Sequence, residues 1–343
     1  MSKRNGSGLI AALLLAAAVG TGASAQQGLE PGRALSKYRD FDSKNPVDQV
    51  EQLKHEIYAT QQKVVMNQFL LQHSCCTKMS LVNYSSGGEL IPAYVFQPAN
   101  QQAGRRYPAV VMVHGGFHES LDENWFALIN AIVERGHVVI FPEYHGSRGY
   151  GEVIYKNNYG VSDTADVLAA ADYIAAKPFV DPGRLGIFGI SRGGMVTLLA
   201  IQQAPTRFKA AVDVVGLTDF VAYMSYKPDY RRRQIAEENA AFDGKLPQDN
   251  LQAYMKVSPL NHVDRIQTPL LVLATRNDTI SPYELHTGRL LDVLKAKGKV
   301  HEAKIYDAAP GGHVFMYGDT PERADGLARV LDWFRRHLGP ASP

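Results

Sequence analysis

The chain has 343 residues, of which 45% are hydrophobic and 20% are charged. This composition is typical of a globular protein, excludes a largely disordered chain, and suffices for one large α/β domain or two small ones. The 36 lysines and arginines and the 34 aspartates and glutamates give a formal net charge of +2, so there is no general electrostatic case for a nucleic-acid partner or an anionic membrane.

Residues 1–25 have the pattern of a cleavable signal peptide. Two basic residues precede an apolar run over 9–19, and Ala23-Ser24-Ala25 supplies the small residues that precede a cleavage site. The apolar run is shorter than the roughly 20 residues that a transmembrane helix needs, so we expect cleavage and no stable membrane span. The sequence therefore predicts an exported bacterial protein of the periplasm or the medium.

Residues 26–76 are expected to form a leader before the main domain. Its main feature is a predicted helix over 48–72, whose apolar residues recur near helical spacing and favour a stripe that packs on the main domain. The stripe consists of Val50, Leu53, Ile57, Val64, Val65, Phe69 and Leu70.

Two adjacent cysteines, Cys75 and Cys76, end the leader. An even number of cysteines in an exported protein favours a disulfide, whereas chain neighbours can close only a small strained ring. A disulfide and a pair of reduced thiols therefore both remain open. No C-x-x-C or histidine spacing accompanies the pair, so no metal site is predicted there.

From residue 77 to 343 the pattern is that of an α/β domain. Two segments joined by a Ser-Ser-Gly-Gly turn, 77–84 and 90–97, predict an antiparallel hairpin. Short apolar runs then alternate with amphipathic segments, which predicts a mainly parallel sheet with helices on both faces. The predicted strands are 109–113, 138–141, 184–190, 210–215, 270–274 and 303–306. The predicted helices are 123–134, 162–176, 192–203, 282–297 and 321–338.

The segment Gly189-Ile190-Ser191-Arg192-Gly193 joins a predicted strand to a predicted helix. A serine at such a junction, with a glycine two residues away on either side, is the pattern of a nucleophile elbow. The turn is so tight that a Cβ at either glycine would clash, and it lifts the hydroxyl above the sheet. Ser191 is therefore the predicted nucleophile, and the N–H of Arg192 is expected to point at the same place.

Two later strand ends carry residues that can activate a serine. Asp278 follows the strand 270–274, and His313 follows the strand 303–306. Because catalytic sites of open α/β sheets gather at the carboxyl ends of strands, we expect both side chains to meet Ser191. A serine hydroxyl needs an imidazole to accept its proton, and a carboxylate then fixes the imidazole tautomer and stabilises its cation. The order serine, acid, histidine is also that of α/β-hydrolases.

Other residues offer alternatives to this assignment. Asp219 follows the strand 210–215 and Asp307 is close to His313 in sequence, so either could be the acid. His114 could be the base, although its place before two glycines favours a structural role in its loop. His114 and His118 could suggest a metal site, but no third ligand is evident, and no metal is predicted.

Several motifs in the loops after the predicted strands form a specific set. They are His114-Gly115-Gly116, Tyr144-His145-Gly146-Ser147-Arg148-Gly149-Tyr150-Gly151, Gly189-Ile190-Ser191-Arg192-Gly193-Gly194, Ser258-Pro259 with His262, Asp264-Arg265-Ile266 with Pro269, Asp278-Thr279-Ile280-Ser281-Pro282 and Gly312-His313. With these motifs, the chain from about 77 to 338 resembles the catalytic domain of the prolyl oligopeptidase family, close to dienelactone-hydrolase-like serine hydrolases. The resemblance implies an α/β-hydrolase fold, Ser191 as nucleophile, an oxyanion hole from the N–H groups of Gly116 and Arg192, and no cofactor.

Three features depart from the large peptidases of that family. Those enzymes carry a propeller that restricts access, whereas no internal repeat of 40–50 residues is visible here, so no propeller is predicted. Many of them place a tyrosine hydroxyl in the oxyanion hole where this chain has His114. Many also place an arginine or asparagine two residues after the catalytic aspartate, to hold a substrate carbonyl, where this chain has Ile280.

The segment 217–265 is the longest one outside the strand–helix alternation, and it stands where a cap or pocket wall could be inserted. Its aromatic residues are candidate walls of a pocket for an apolar or aromatic acyl group, and Ile280 is a further candidate. The aromatic candidates are Phe220, Tyr223, Tyr226 and Tyr230.

The sequence therefore predicts an exported serine hydrolase that acts through an acyl-enzyme on a peptide or a small ester. A serine peptidase of the prolyl oligopeptidase type is the first choice, and a carboxylesterase is the alternative. A non-catalytic binding protein on a hydrolase fold is the second alternative, and the joint presence of Ser191, Asp278 and His313 speaks against it. No nucleic-acid partner is predicted, and the oligomeric state stays open.

Overall fold

The computed structural model describes residues 46–156 and 158–340. The predicted signal peptide and residues 26–45 of the predicted leader lie outside the described residues. Cys75 and Cys76, at the end of the leader, are joined by a disulfide.

The domain is built on an eight-stranded sheet. Its strands are β1 (Thr77–Ser86), β2 (Glu89–Pro98), β3 (Tyr107–Val113), β4 (Val138–Pro142), β5 (Val180–Ile190), β6 (Ala210–Val214), β7 (Leu270–Thr275) and β8 (His301–Tyr306). They lie in the order β1-β2-β4-β3-β5-β6-β7-β8. The β1–β2 and β2–β4 pairs are antiparallel, and every further neighbouring pair is parallel. The predicted α/β-hydrolase sheet, mainly parallel with antiparallel leading strands, is confirmed.

Helices accompany the strands in the predicted alternation. They are α1 (Pro46–His73), α2 (Phe126–Glu134), α3 (Glu152–Tyr155), α4 (Ser162–Ala175), α5 (Arg192–Gln203), α6 (Phe220–Ser225), α7 (Asp229–Glu238), α8 (Leu251–Lys256), α9 (Thr287–Ala296) and α10 (Pro321–Leu338). Short 3₁₀ turns cover Glu123–Trp125, Pro259–Arg265 and Gly312–Val314. Among the described residues, none of the helices combines the length and the apolar character needed to cross a membrane.

The central strands are covered on both faces. Every residue of β3, β4, β6 and β7 is buried, as expected for parallel strands between two helical layers. Helices α4 and α5 contact each other and the strands, and so do α2 and α10. Because side chains of a strand alternate between faces, Gly186 of β5 lies against Phe334 of α10, whereas Gly189 lies against Gly193 of α5.

The apolar stripe predicted on α1 is wrong for most of its members. Phe69 is fully buried, with its ring centroid 4.8 Å from that of Phe96 and 5.1 Å from that of Phe126. Several other members of the stripe are at least half exposed. These are Val50, Leu53, Ile57 and Val64.

The face of α1 that packs on the domain carries Ala59 and Gln62 together with Phe69. Gln62 Nε2 donates a hydrogen bond to Ser120 Oγ at 2.6 Å, and the Tyr94 hydroxyl donates to Gln62 Oε1 at 3.2 Å. A buried amide needs such partners, so these hydrogen bonds favour the face that carries it. The spacing of apolar residues alone does not reveal this choice.

The helix predicted over 282–297 begins later, at Thr287. Residues before it form a turn, in which the N–H groups of Leu285 and His286 donate to the carbonyl of Pro282. The imidazole of His286 is buried and lies 2.7 Å from the Tyr226 hydroxyl. The turn over 282–286 therefore precedes α9, which begins at Thr287.

Asp213 of β6 carries a fully buried carboxyl group that lies against two glycines. A Cβ on Gly194 would lie 2.2 Å from its Oδ1, and a Cβ on Gly216 would lie 2.1 Å from the same atom. Burial raises the pKa of Asp213 to about 7, and the nearby Gly216 N–H opposes this only in part. The native state therefore keeps this proton over a pH range in which the unfolded chain has released it.

We expect Asp213→Asn to change the pH dependence of stability. The native pKa of Asp213 lies above the unfolded one, so its protonated carboxyl group contributes to the free energy of unfolding. This contribution is fully present below about pH 4 and is lost as the pH rises toward about 7. The asparagine variant lacks this loss, so its free energy of unfolding relative to the wild type should rise by up to about 1.4 kcal/mol per pH unit across that range. Urea unfolding of both proteins at several pH values measures the difference, and a difference independent of pH would contradict the raised pKa.

Candidate active site

Ser191 stands at the turn between β5 and α5 in a conformation that few residues adopt. Its backbone has φ 60° and ψ −120°, which strains a residue with a side chain. A Cβ on Gly189 would lie 2.0 Å from the carbonyl oxygen of Gly193, and one on Gly193 would lie 2.1 Å from that of Val113. The Ser191 N–H also donates to the carbonyl of Val214 in β6 at 2.8 Å. The two glycines thus permit the tight turn, as the sequence pattern predicts.

His313 connects Ser191 to Asp278 at the carboxyl ends of the strands. His313 Nε2 lies 2.8 Å from Ser191 Oγ, and His313 Nδ1 lies 2.8 Å from Asp278 Oδ2. The imidazole comes from the 3₁₀ turn after β8, and the carboxyl group comes from the loop after β7. The structure therefore brings together the three residues that the strand-end pattern singles out.

The loop after β7 holds the carboxyl group of Asp278 in place. Oδ1 accepts the N–H groups of Ile280 and Ser281 at 2.8 and 2.9 Å, and Oδ2 accepts the Ser281 hydroxyl at 3.0 Å. Burial favours the neutral acid, but the hydrogen bond with His313, the charge of that imidazole and the two N–H donors outweigh it, so the pKa of Asp278 lies below its usual value. Asp278 is therefore ionised at neutral pH and can accept a hydrogen bond from the protonated Nδ1 of His313.

The two alternative acids lie elsewhere. Asp219 is the N-cap of α6 and pairs with Arg289, with the two charged groups 2.5 Å apart. Asp307 has a side chain that is 99% exposed. Of the three acids, Asp278 is the one that contacts His313.

His114 and His118 have structural partners. His114 is buried, and its Nε2 lies 2.8 Å from Ser147 Oγ. Burial lowers the pKa of His114 to about 3, so its imidazole is neutral. His118 Nδ1 donates to the carbonyl of Gly146 at 2.8 Å. In the part of the chain that the structure describes, no group of three His, Cys, Asp or Glu side chains could hold a metal ion.

Gly115 and Gly116 form the pocket wall next to Ser191. Gly116 has φ 66°, in the left-handed region that favours glycine. A Cβ on Gly115 would lie 3.2 Å from the Cβ of Ser191. Gly116 and Arg192 line the same cavity as Ser191, which is where the two N–H groups of an oxyanion hole need to stand.

The side chain of Arg192 ties α5 to the glycine loop. It is buried, pairs with Asp163 at 2.8 Å, and donates to the carbonyl of Phe117 at 3.2 Å. Its guanidinium also lies over the ring of Tyr159, 4.2 Å from the centroid. The residue that follows Ser191 thus also positions the loop that carries Gly116.

We expect Asp163→Ala to lower the free energy of unfolding by about 3–5 kcal/mol, because it leaves the buried guanidinium of Arg192 without its carboxylate. Asp172→Ala is the matched control on the same helix. Asp172 is 76% exposed and pairs with Arg207, so this change should cost less than about 1 kcal/mol. Denaturant unfolding of both variants measures the contrast, and equal losses would contradict the importance of the buried pair.

A cavity of about 250 Å³ opens beside Ser191. Of the predicted pocket residues, Tyr223 and Ile280 line it. Phe220 is not a pocket wall, because its ring is fully buried in the core, and Tyr230 is not one either, because it is 73% exposed. Tyr226 donates to the carbonyl of Ile280 at 3.0 Å and does not itself line the cavity.

Several residues that line the cavity were missed by sequence reasoning. They are Glu119, Tyr159, Leu217, Val314 and Tyr317. Glu119 follows the glycine loop and Val314 follows His313, so nearness to a predicted site residue is the signal that could have found them. The directions of loop side chains, unlike those of strand residues, do not follow from a periodic pattern.

Comparison with known proteins places the domain in a family. The sequence profile of the prolyl oligopeptidase family matches residues 124–341, which is more than half of the chain. The uncharacterized peptidase YuxL of Bacillus subtilis is 27% identical over 281 residues, which cover 79% of this chain and 41% of that protein. The acylamino-acid-releasing enzyme of Sus scrofa is 26% identical over 252 residues, which cover 72% of this chain and 34% of that enzyme. This chain therefore spans less than half the length of these relatives.

Solved structures agree with this placement. An acylaminoacyl peptidase of Pyrococcus horikoshii has a TM-score of 0.68 at 22% identity, over 81% of this chain and 44% of that one, and it supports the fold. A puromycin-hydrolyzing peptidase of Mycobacterium tuberculosis has a TM-score of 0.66 at 28% identity, over 77% of this chain and 40% of that one. With its elbow, its sheet order and the match over 124–341, the chain belongs to the prolyl oligopeptidase family of serine peptidases and has the α/β-hydrolase fold.

Proposed function

We propose that this chain is a serine peptidase in which Ser191 is the nucleophile, His313 the general base and Asp278 the acid that orients the imidazole. The observation that carries the proposal is the continuous chain of hydrogen-bonding contacts from Asp278 through His313 to Ser191, which ends at an open cavity. A buried carboxylate, an imidazole and a strained, partly exposed serine at these distances are the parts that acyl transfer needs.

The reaction then proceeds through an acyl-enzyme. His313 Nε2 takes the proton of Ser191 as Oγ attacks the substrate carbonyl, and the charge of Asp278 stabilises the resulting imidazolium. The N–H groups of Gly116 and Arg192 stabilise the oxyanion, and His313 gives its proton to the leaving group. Water, activated by the same imidazole, releases the acyl group and restores Ser191.

The composition of the cavity supports an apolar or aromatic acyl group. Tyr223, Tyr159 and Phe117 contribute aromatic surface next to Ser191. Ile280, two residues after Asp278, is 44% exposed and lines the cavity, but its side chain cannot hold a substrate carbonyl. A peptide backbone therefore has fewer anchors here than a peptidase with a polar residue at that position would offer.

We expect kcat/KM for short aryl esters to exceed that for matched anilides. An amide needs protonation of its leaving amine and close alignment of the scissile bond, whereas an activated ester needs less of both. We also expect no strong preference for proline next to the cleaved bond. Hydrolysis of esters and anilides that share one acyl group measures the first expectation, and Pro- and Ala-anilides measure the second. A Pro-anilide cleaved at least about tenfold better than its Ala counterpart would contradict this reading and favour full prolyl specificity.

Carboxylesterase remains the second candidate function, because the side chain of Ile280 cannot donate a hydrogen bond to a carbonyl of a peptide substrate. If the aryl esters are hydrolysed and a panel of peptides and anilides is not cleaved at all, the carboxylesterase reading replaces the peptidase one. Ile280→Arg is the informative variant, since a donor at this position should help extended peptides more than esters. If neither substrate class is turned over, a non-catalytic binding protein becomes the better account.

We further propose that the protein is exported from a bacterial cell and begins at Gln26 when mature. The support is the composition of residues 1–25, with a basic start, an apolar run and Ala23-Ser24-Ala25. The intact mass of the protein recovered from the producing cell tests this. A mass that retains residues 1–25 would overturn it.

A further inference from the structure

Glu119 places a carboxylate in the cavity, next to the loop that is proposed to hold the oxyanion. Its Cδ lies 2.5 Å from where a Cβ on Gly116 would stand, so the carboxyl group packs directly on that glycine. A Cβ on Gly115 would lie 3.4 Å from Glu119 Oε2 and 3.2 Å from the Cβ of Ser191. The carboxylate of Glu119 and the side chain of Ser191 therefore approach the same point beside Gly115.

The carboxylate of Glu119 has no close cationic partner among residues 46–156 and 158–340. No ion pair or hydrogen bond to its side chain occurs there, and Arg148, His313 and Arg192 act on it only through their charges. Burial raises the pKa of Glu119, because solvent is partly excluded from its carboxyl group. The negative charge of Asp122 raises it further. A positive group in the cavity would therefore be attracted to the carboxylate of Glu119, which water solvates only in part.

The position of this charge also matters for the reaction. A negative carboxylate close to Gly116 opposes the negative charge that develops on the substrate oxygen during attack by Ser191. A substrate cation that binds between the two negative groups would remove this opposition and add an attraction. Such a cation would lie close to the scissile carbonyl, because Glu119 and Ser191 approach the same point beside Gly115.

We propose that Glu119 is a specificity-determining residue that binds the protonated amine of the substrate, as in aminoacyl esters and amides with a free α-amino group. This inference rests on the proposed function, since it places the ammonium group relative to the carbonyl that Ser191 attacks. It separates this site from one that takes N-acylated amino acids, in which the same nitrogen is neutral. Substrates with a free α-amino group are favoured, and their blocked or deaminated counterparts are disfavoured.

The test compares two aryl esters that share a leaving group and differ by one ammonium group. Their acyl groups are phenylalanyl, which carries the ammonium group, and 3-phenylpropanoyl, which lacks it. Assays run below the pKa of the amine, which is about 7.7–8.0 for an α-amino group. The ratio of the two kcat/KM values should favour the ammonium ester in the wild type and fall at least about tenfold in Glu119→Gln. Asp122→Asn is the matched control, because it removes a neighbouring negative charge that does not line the cavity, and it should change the ratio by less than about threefold.

Each outcome decides the proposal. A Glu119→Gln variant that slows both esters equally would show that Glu119 only supports the glycine loop, and an unchanged ratio would show that it does not meet the amine. Glu119→Asp keeps the negative charge, so its ratio of the two kcat/KM values should lie between those of Glu119→Gln and the wild type. Hydrolysis of the neutral ester by the wild type reports on the proposed function independently of Glu119.

Binding provides a readout that does not need turnover. Calorimetry of Ser191→Ala with phenylalaninamide and with 3-phenylpropanamide should show tighter binding of the ammonium ligand. Adding Glu119→Gln to that variant should abolish the difference. If the difference is absent from the start, or survives the added substitution, the proposal is overturned even when no substrate has been turned over.

Discussion

Ser191→Ala is expected to lower kcat by about 10⁴–10⁶ on any substrate that the wild type hydrolyses. The variant keeps the elbow, because alanine differs from serine only in the hydroxyl and the turn depends on the two glycines and the backbone hydrogen bonds. What it removes is the oxygen that is proposed to form the acyl-enzyme. His313→Ala should cost a similar factor, since the serine then lacks the base 2.8 Å away.

The double variant distinguishes a joint mechanism from two separate contributions. Residues that act as one unit give non-additive losses, so Ser191→Ala with His313→Ala should be about as slow as either alone. Ser225→Ala is a suitable control, because Ser225 is exposed and its hydroxyl bonds only within α6. If purified Ser191→Ala protein keeps more than about a tenth of the wild-type activity, the nucleophile has been assigned wrongly.

Asp278→Asn should lower kcat by about 10⁴ while the fold is kept. An amide in this place presents an N–H to His313 or accepts only weakly, so the imidazole takes the tautomer whose Nε2 bears a proton and cannot act as base toward Ser191. The charge that stabilises the imidazolium is also lost. Steady-state kinetics and a circular dichroism spectrum of the same sample separate loss of catalysis from loss of structure.

Asp219→Asn and Asp307→Asn are the matched controls for this prediction. Asp219 is an N-cap in an ion pair and Asp307 is exposed, so each variant should stay within about tenfold of the wild type in kcat. Inactivation by Asp219→Asn with a mild effect of Asp278→Asn would mean that the acid lies after β6 rather than after β7.

The sheet and the tight turn at Ser191 could be predicted because their signals are local. Buried parallel strands are apolar runs of limited length, and a strained serine needs glycine two residues away on either side. The closeness of Asp278 and His313 to Ser191 could be predicted because the carboxyl ends of neighbouring parallel strands meet at one edge. Asp278 follows β7 and His313 follows β8. The structure places His313 against Ser191 and Asp278 against His313.

The pocket walls and the face of α1 could not be predicted in the same way. Phe220 and Tyr223 lie three residues apart on α6, yet one enters the core and the other lines the cavity, because the packing of the inserted segment sets the orientation of that helix. On α1, hydrogen bonds of Gln62 select a face that apolar spacing does not mark. Glu119 enters the cavity because its loop turns at Gly116, which is a property of the backbone path.

Labelling with a fluorophosphonate tests the central claim most directly. Such a probe reacts with a serine that is activated by a base and whose phosphonyl oxygen is held by an oxyanion hole. We expect peptide mass spectrometry of the labelled wild type to show one adduct, on Ser191, that is absent from Ser191→Ala and greatly slowed in His313→Ala. No adduct, or an adduct on another residue, would contradict the assignment of Ser191 as an activated nucleophile.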